Sequence, residues 1–243
     1  MGERFRKLAA ASALACAALA AACSEKELIS DGPSDAQPET AAPAPDVSEL
    51  PAGLYKLDPS HASLVFHVNH LGFSNYTASF RTFDVVMTLD PADPEAAEVS
   101  ASIDLSSLEI PSPPEGFVKE LLGPDWLGAG TAPEMTFESL NIVQTGPASA
   151  DINGNLTLKG STQPVTLHAT FNGGWPGNVY DRHARIGFSA HGGLKRSDFG
   201  VSMGIPEPGT QMGVSDEVTF EIEAEFSGPE LPPEKLQPAT PPQ

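Results

Sequence analysis

Apolar residues at every second position, in one segment after another, limit what this chain can fold into more than any other feature. Leu64, Phe66 and Val68 alternate with Ser63, His67 and Asn69, and Val65 alone interrupts the polar side. The same period runs through Phe83, Val85, Met87 and Leu89, then Val99, Ala101, Ile103 and Leu105. It continues through Val165, Leu167, Ala169 and Phe171, and through Ile186, Phe188 and Ala190. The clearest case comes last: Val218, Phe220, Ile222, Ala224 and Phe226 lie on one side, and Thr219, Glu221, Glu223 and Glu225 on the other. A two-residue period marks strands with one face toward a core. Met135, Phe137 and Ser139 lead into a further apolar stretch at 140–143, and Ile152 is joined to Leu156 and Leu158 through Asn153-Gly154, a pair suited to a tight hairpin. Pro91 to Pro94 and Pro111 to Pro114 break the series. Only Glu115 to Leu127, with Phe117, Val118, Leu121, Leu122 and Trp126, has a helical period. The expectation is an all-β fold, a mostly antiparallel barrel with one short helix. A sheet that closes on itself can enclose an apolar interior.

The flanks have a different composition. Arg4, Arg6 and Lys7 precede an Ala-rich apolar run from Leu8 to Ala22, too short to span a bilayer comfortably, so residues 1–22 read as a secretory signal. Cys23 follows three alanines and precedes a polar run, as in a bacterial lipoprotein signal whose cysteine is lipidated, and Ser24 after it fits outer-membrane sorting. The expected location is the bacterial envelope, with an anchored protein facing the periplasm. Residues 23–53 are rich in Pro, Ala, Asp and Glu and read as a disordered tether. Residues 54–227 are the barrel domain, and 228–243, with six prolines, read as a disordered tail.

Charge and chemistry narrow the function. With 13 Lys+Arg against 32 Asp+Glu the formal charge is −19, a surface that repels nucleic-acid phosphates. The only cysteines, Cys16 and Cys23, lie outside the domain, so its stability comes from its core. Asp198-Phe199-Gly200 matches the magnesium tripeptide of protein kinases, but no glycine-rich phosphate loop or catalytic loop accompanies it. Arg196 and Asp198 read instead as a turn or an interstrand ion pair. His61, His67 and His70 do not share a strand face and form no zinc pattern, and His61 reads as a turn residue bonded near Asp58-Pro59. His168 and His191 have no obvious partners. No nucleophile elbow occurs, so the expectation is a protein that is not an enzyme and holds neither metal nor cofactor.

Several stretches, taken in order, resemble the YceI-like family. They are Tyr55-x-Leu57-Asp58-Pro59-x-His61, Phe66-x-Val68-x-His70-Leu71-Gly72, Phe80 with Phe83, and Ile103-Asp104-x-Ser106-Ser107-Leu108. Gly154 to Val165, Gly187-Phe188-x-Ala190 and Arg196-Ser197-Asp198-Phe199-Gly200 follow. The segment from Phe117 to Thr131 departs from the family pattern, which there has a helix bearing Arg, Asp and His and then paired aromatics. The resemblance implies a lipocalin-like barrel that binds a polyisoprenoid, a quinone-like lipid or another long-chain amphiphile. It implies that Phe66, Val68, Phe83, Val85, Ile103, Phe137, Leu167, Phe188 and Phe220 line a tunnel, with Trp126 near the opening and Arg196 toward the headgroup. Members of the family often pair as homodimers, and no segment here dictates pairing. The residues alone leave two readings: a hollow barrel that holds lipid, for carriage, storage or stress response, or a solid barrel serving as an accessory protein through its acidic exterior.

Overall fold

The computed structural model describes Val47 and residues 49–233, so the signal segment, Cys23, most of the tether and the last ten residues of the tail lie outside the described residues. The strands are β1 (Gly53–His70), β2 (Ser74–Phe80), β3 (Phe83–Leu89), β4 (Glu98–Asp104), β5 (Leu108–Glu109), β6 (Glu134–Gly146), β7 (Ser149–Leu158), β8 (Ser161–Trp175), β9 (His183–Lys195) and β10 (Val214–Glu230). Among the described residues one short α-helix, α1 (Phe117–Leu121), lies between β5 and β6.

All pairings are antiparallel. From β3 the order runs through β4, β6, β7, β8, β9 and β10 to β1, and β1 pairs back with β3, which closes an eight-stranded barrel. The first part of β1 pairs with β3 (Gly53 to Lys56 against Leu89 to Val86) and its later part with β2 (Leu64 to His70 against Phe80 to Ser74). β2 and β3 are thus two halves of one interrupted strand, and β5 continues the wall beside β2.

The long strand β1 shows how sequence pattern and geometry are reconciled. Tyr55 and Leu57 are buried at odd positions, yet Leu64, Phe66 and Val68 face inward at even ones. Leu57 pairs with Phe226 and Ala62 with Ala224, so four residues, Asp58 to His61, stand opposite Glu225 alone. The bulge changes the parity and keeps both halves of the strand facing the core. Asp58 fastens it: its carboxylate accepts from Ser60 N–H (3.0 Å) and Arg185 Nη1 (2.9 Å), and His61 Nδ1 lies 3.2 Å away. These contacts, the Ser60 amide foremost, then His61 and Arg185, hold the Asp58 carboxyl below the usual carboxylate range. A second parity change occurs in β6, where the register shifts between Ser139 and Asn141, leaves Leu140 exposed and turns both Phe137 and Ile142 inward.

Three expectations are corrected. Asn153-Gly154 is not a hairpin turn but lies inside β7; a side chain at Gly154 would run into the Phe137 ring and stand 2.5 Å from the Glu138 carbonyl oxygen, so glycine is there for close packing. The tight turn is Lys159-Gly160, both with positive φ (53° and 79°), between β7 and β8. The helix covers five residues rather than Glu115 to Leu127, because Gly123-Pro124 ends it and the chain then folds into turns that bond back to Leu121, Leu122 and Gly123. The domain also exceeds the expected limits of 54 and 227. Leu50 is buried, β10 runs to Glu230, and Leu231 is buried with its N–H on the Arg182 carbonyl. Those extra residues cover Tyr55, which is fully buried, packs against Gly228 and donates to the Pro51 carbonyl at 2.7 Å; burial pushes its hydroxyl pKa to about 12.

Gly154→Ala is expected to destabilise the barrel by about 1–3 kcal/mol, since neither the Phe137 ring nor the Glu138 carbonyl can withdraw without disturbing the β6–β7 ladder. A urea midpoint equal to the parent's would refute this packing role.

Candidate binding cavity

The barrel is hollow. One group of buried residues, among them Tyr55, Leu57, Met87, Leu89, Ile142, Ile186 and Phe226, packs together and closes one end. Beyond it lies a cavity of about 670 Å³, within the range of small-molecule sites. The space exists because inward positions that could hold large side chains carry alanine: Ala78 on β2, Ala101 on β4, Ala169 on β8, Ala190 on β9 and Ala224 on β10 all line it. Eight strands of uniformly large residues would fill such an interior.

The wall is apolar except near the end where β1 finishes and β10 begins. There His70, Tyr76, Ser112 and Arg196 join the lining, together with Pro111, Pro114, Phe117 and Val214. Two irregular segments roof this end, residues 110–133 with α1 and residues 200–213. The result is a polar-edged mouth over an apolar interior.

Arg196 is the most constrained residue of the rim. It stands at the start of a short 3-10 turn, Arg196–Phe199, and is 6% exposed. Its guanidinium donates to four backbone carbonyls, each at 2.8 Å: Nε to Ser215, Nη1 to Val201 and Met203, and Nη2 to Val214. One N–H of the five remains for a further acceptor. The Trp126 ring lies 5.6 Å from the guanidinium carbon. Burial lowers the Arg196 pKa from its ordinary value, and the Asp216 carboxylate partly offsets this. The turn reading of this motif holds, but the ion pair with Asp198 does not form. The nearby carboxylate that is used belongs to Asp216, which accepts from Ser197 N–H (2.9 Å) and Oγ (2.8 Å).

Ten of the eleven expected positions line the cavity: Phe66, Val68, Val85, Ile103, Trp126, Phe137, Leu167, Phe188, Arg196 and Phe220. Phe83 does not. It opens β3 where β1 leaves β3 for β2, and packs against both groups of buried residues at that seam. The mouth residues Tyr76, Ser112 and Val214 were not foreseen, because they stand near strand ends or in irregular chain where no period marks the inner side, whereas Phe117, the first residue of α1, was legible as part of the helical run. Four of the five inward alanines, Ala101, Ala169, Ala190 and Ala224, were legible as members of the alternating runs, and Ala78 was not.

The histidines lie elsewhere. His61 belongs to the β1 bulge, His67 bonds Thr77 on the outer face (2.9 Å), and His70 reaches the mouth. His168 and His191, expected to be isolated, are cross-strand neighbours with ring centroids 5.2 Å apart, and His168 Nδ1 lies 2.7 Å from Asp151 Oδ1. Among the described residues no three metal-binding side chains come together.

Comparison with known proteins gives a consistent picture. Residues 55–226 match the model of the YceI-like domain. A UPF0312 protein of Pseudomonas putida strain W619 is 37% identical over 156 residues, which is 62% of this chain and 77% of that relative. The crystal structure of the Campylobacter jejuni YCEI protein superposes with a TM-score of 0.56 at 27% identity, over 67% of this chain and 90% of the other. A domain from Saccharophagus degradans described as polyisoprenoid-binding shares the fold, with a TM-score of 0.53 at 14% identity over 72% of this chain and 98% of its own.

Proposed function

The chain belongs to the YceI-like family, and from that premise we propose that it binds a long-chain amphiphile, a polyisoprenoid or quinone-like lipid, inside its barrel. The observation that carries this reading is the cavity of about 670 Å³, apolar along its length and polar only at the mouth. The Saccharophagus degradans domain of the same fold, a polyisoprenoid-binding domain, supports the same ligand class. Burying roughly 400 Å² of tail at about 25 cal/mol per Å² contributes on the order of 10 kcal/mol before the costs of association. That margin suffices for capture without any covalent step, so the role is binding and carriage or storage rather than catalysis. A barrel packed solid, the other reading left open by the sequence, does not fit an interior of this size.

Protein purified without detergent from a native-like host is expected to release about one equivalent of long-chain lipid into organic solvent, detected by mass spectrometry. An empty extract, together with no uptake of added polyprenyl lipid, would refute the proposal.

We also propose that the protein is tethered in the bacterial envelope through a lipidated Cys23, a reading supported by the basic head, the short apolar run and the cysteine after Ala22. Cys23→Ala is expected to move the protein from the membrane fraction to the released fraction. An unchanged distribution would defeat the anchor.

A further inference from the structure

Three apolar residues at the mouth end of the barrel, Phe73, Met203 and Met212, lie exposed. Phe73, in the turn between β1 and β2, is 83% exposed, and Met212, in the segment before β10, is 77% exposed. Their two loops are pinned together: Leu71 N–H donates to the Gly213 carbonyl at 2.8 Å, and a side chain at Gly72 would strike Gln211. Met203, 49% exposed, borders the outer hollow beside Trp126. Phe73, Met203 and Met212 therefore project from the end of the barrel at which the cavity opens.

We propose that this rim docks on a bilayer surface of zwitterionic lipid and that the amphiphile enters the barrel through it. The inference rests on the ligand reading above and specifies the route of loading. The occupant follows from two observations. Phe73, Met203 and Met212 stand outside the polar mouth at the end where the cavity opens, so the phase that meets them supplies what enters, and a long-chain amphiphile resides in a bilayer. The charge excludes attraction to an anionic surface: the chain carries −19, and Lys119 on the rim stands among Glu120 and Asp125. Docking is then driven by insertion of apolar side chains.

The far end supplies an internal control. Trp175, at the end of β8, and Val179 and Tyr180, between β8 and β9, are 50%, 64% and 96% exposed, but the barrel beneath them is closed by packed side chains. The two tryptophans of the chain stand one at each end, Trp126 at the mouth and Trp175 at the base.

The test uses the full chain, freed of bound lipid, with vesicles of brominated phosphatidylcholine that carry a polyprenyl alcohol; the bromines quench tryptophan fluorescence on contact. In Trp175→Phe, the remaining Trp126 should be quenched. In Trp126→Phe, the remaining Trp175 should not. Adding Phe73→Asp and Met212→Asp to Trp175→Phe should weaken the quenching at least about tenfold in vesicle concentration, whereas adding Tyr180→Asp should leave it unchanged. Quenching of Trp175 instead, or quenching of Trp126 that persists in the double aspartate variant, would overturn the proposal. Solvent extraction of the same samples reports separately on the cavity: lipid present with an unquenched Trp126 defeats the docking alone, and lipid absent after vesicle exposure with Trp126 quenched defeats the loading route.

Discussion

Ala190→Trp should empty the cavity and leave the barrel standing. Ala190 faces inward from β9, with Ala169 beside it on β8 and Ile222 on β10, so an indole there projects into open space rather than into packed neighbours. Two quantities should move in opposite directions. Bound lipid should fall at least about tenfold, because the tail and the indole compete for one volume. Stability should stay level or rise by about 0.5–2 kcal/mol, as for other cavity-filling substitutions. A solid interior predicts the reverse sign, since forcing a large side chain into packed surroundings costs about 1–3 kcal/mol. Extraction with mass spectrometry and a urea titration on one preparation measure both, and a destabilised variant with undiminished lipid would refute the hollow barrel.

Arg196→Leu should be the most destabilising single change at the mouth, by about 3–5 kcal/mol. Leucine supplies the apolar stem but none of the donors, and the carbonyls of Val201, Met203, Val214 and Ser215 lose their shared partner together. Arg196→Lys should recover less than half of the loss, because an ammonium cannot present the planar fork that reaches four acceptors on two segments. Equilibrium unfolding in urea checks both variants. A loss below about 1 kcal/mol for leucine would mean that the segment 200–213 holds its shape without the arginine.

The legibility of this molecule in its sequence followed the regularity of its backbone. The alternation in Val218 to Phe226 identified the inner face of β10 correctly, residue for residue, because that strand has no bulge between those positions. It was less informative in β1, where Asp58 to His61 are all expelled opposite one residue and the inward set changes from odd to even positions. Leu140 has the same effect in β6. Gly154 looked like a turn because Asn-Gly favours one, and the tertiary contact with Phe137 prevailed over that local preference. The mouth was hardest to read. Segment 200–213 lacks a period, the helical period at 115–127 yields a helix of only five residues, and the four carbonyls that hold Arg196 belong to backbone whose side chains carry no sign of the role. Cross-strand pairs such as His168 and His191 depend on register, which a linear reading does not contain.

The bulge at Asp58 to His61 makes the count of residues there matter more than most of their identities. Because four residues oppose one, insertion or deletion of a single residue would put the rest of β1 out of phase and direct Leu64, Phe66 and Val68 to the exterior, leaving a sticky outer wall and hydrophilic groups inside. Length changes at this point are compatible with the barrel in steps of two, so sequence drift in this corner should be free in letter and strict in number, apart from the aspartate that fastens it.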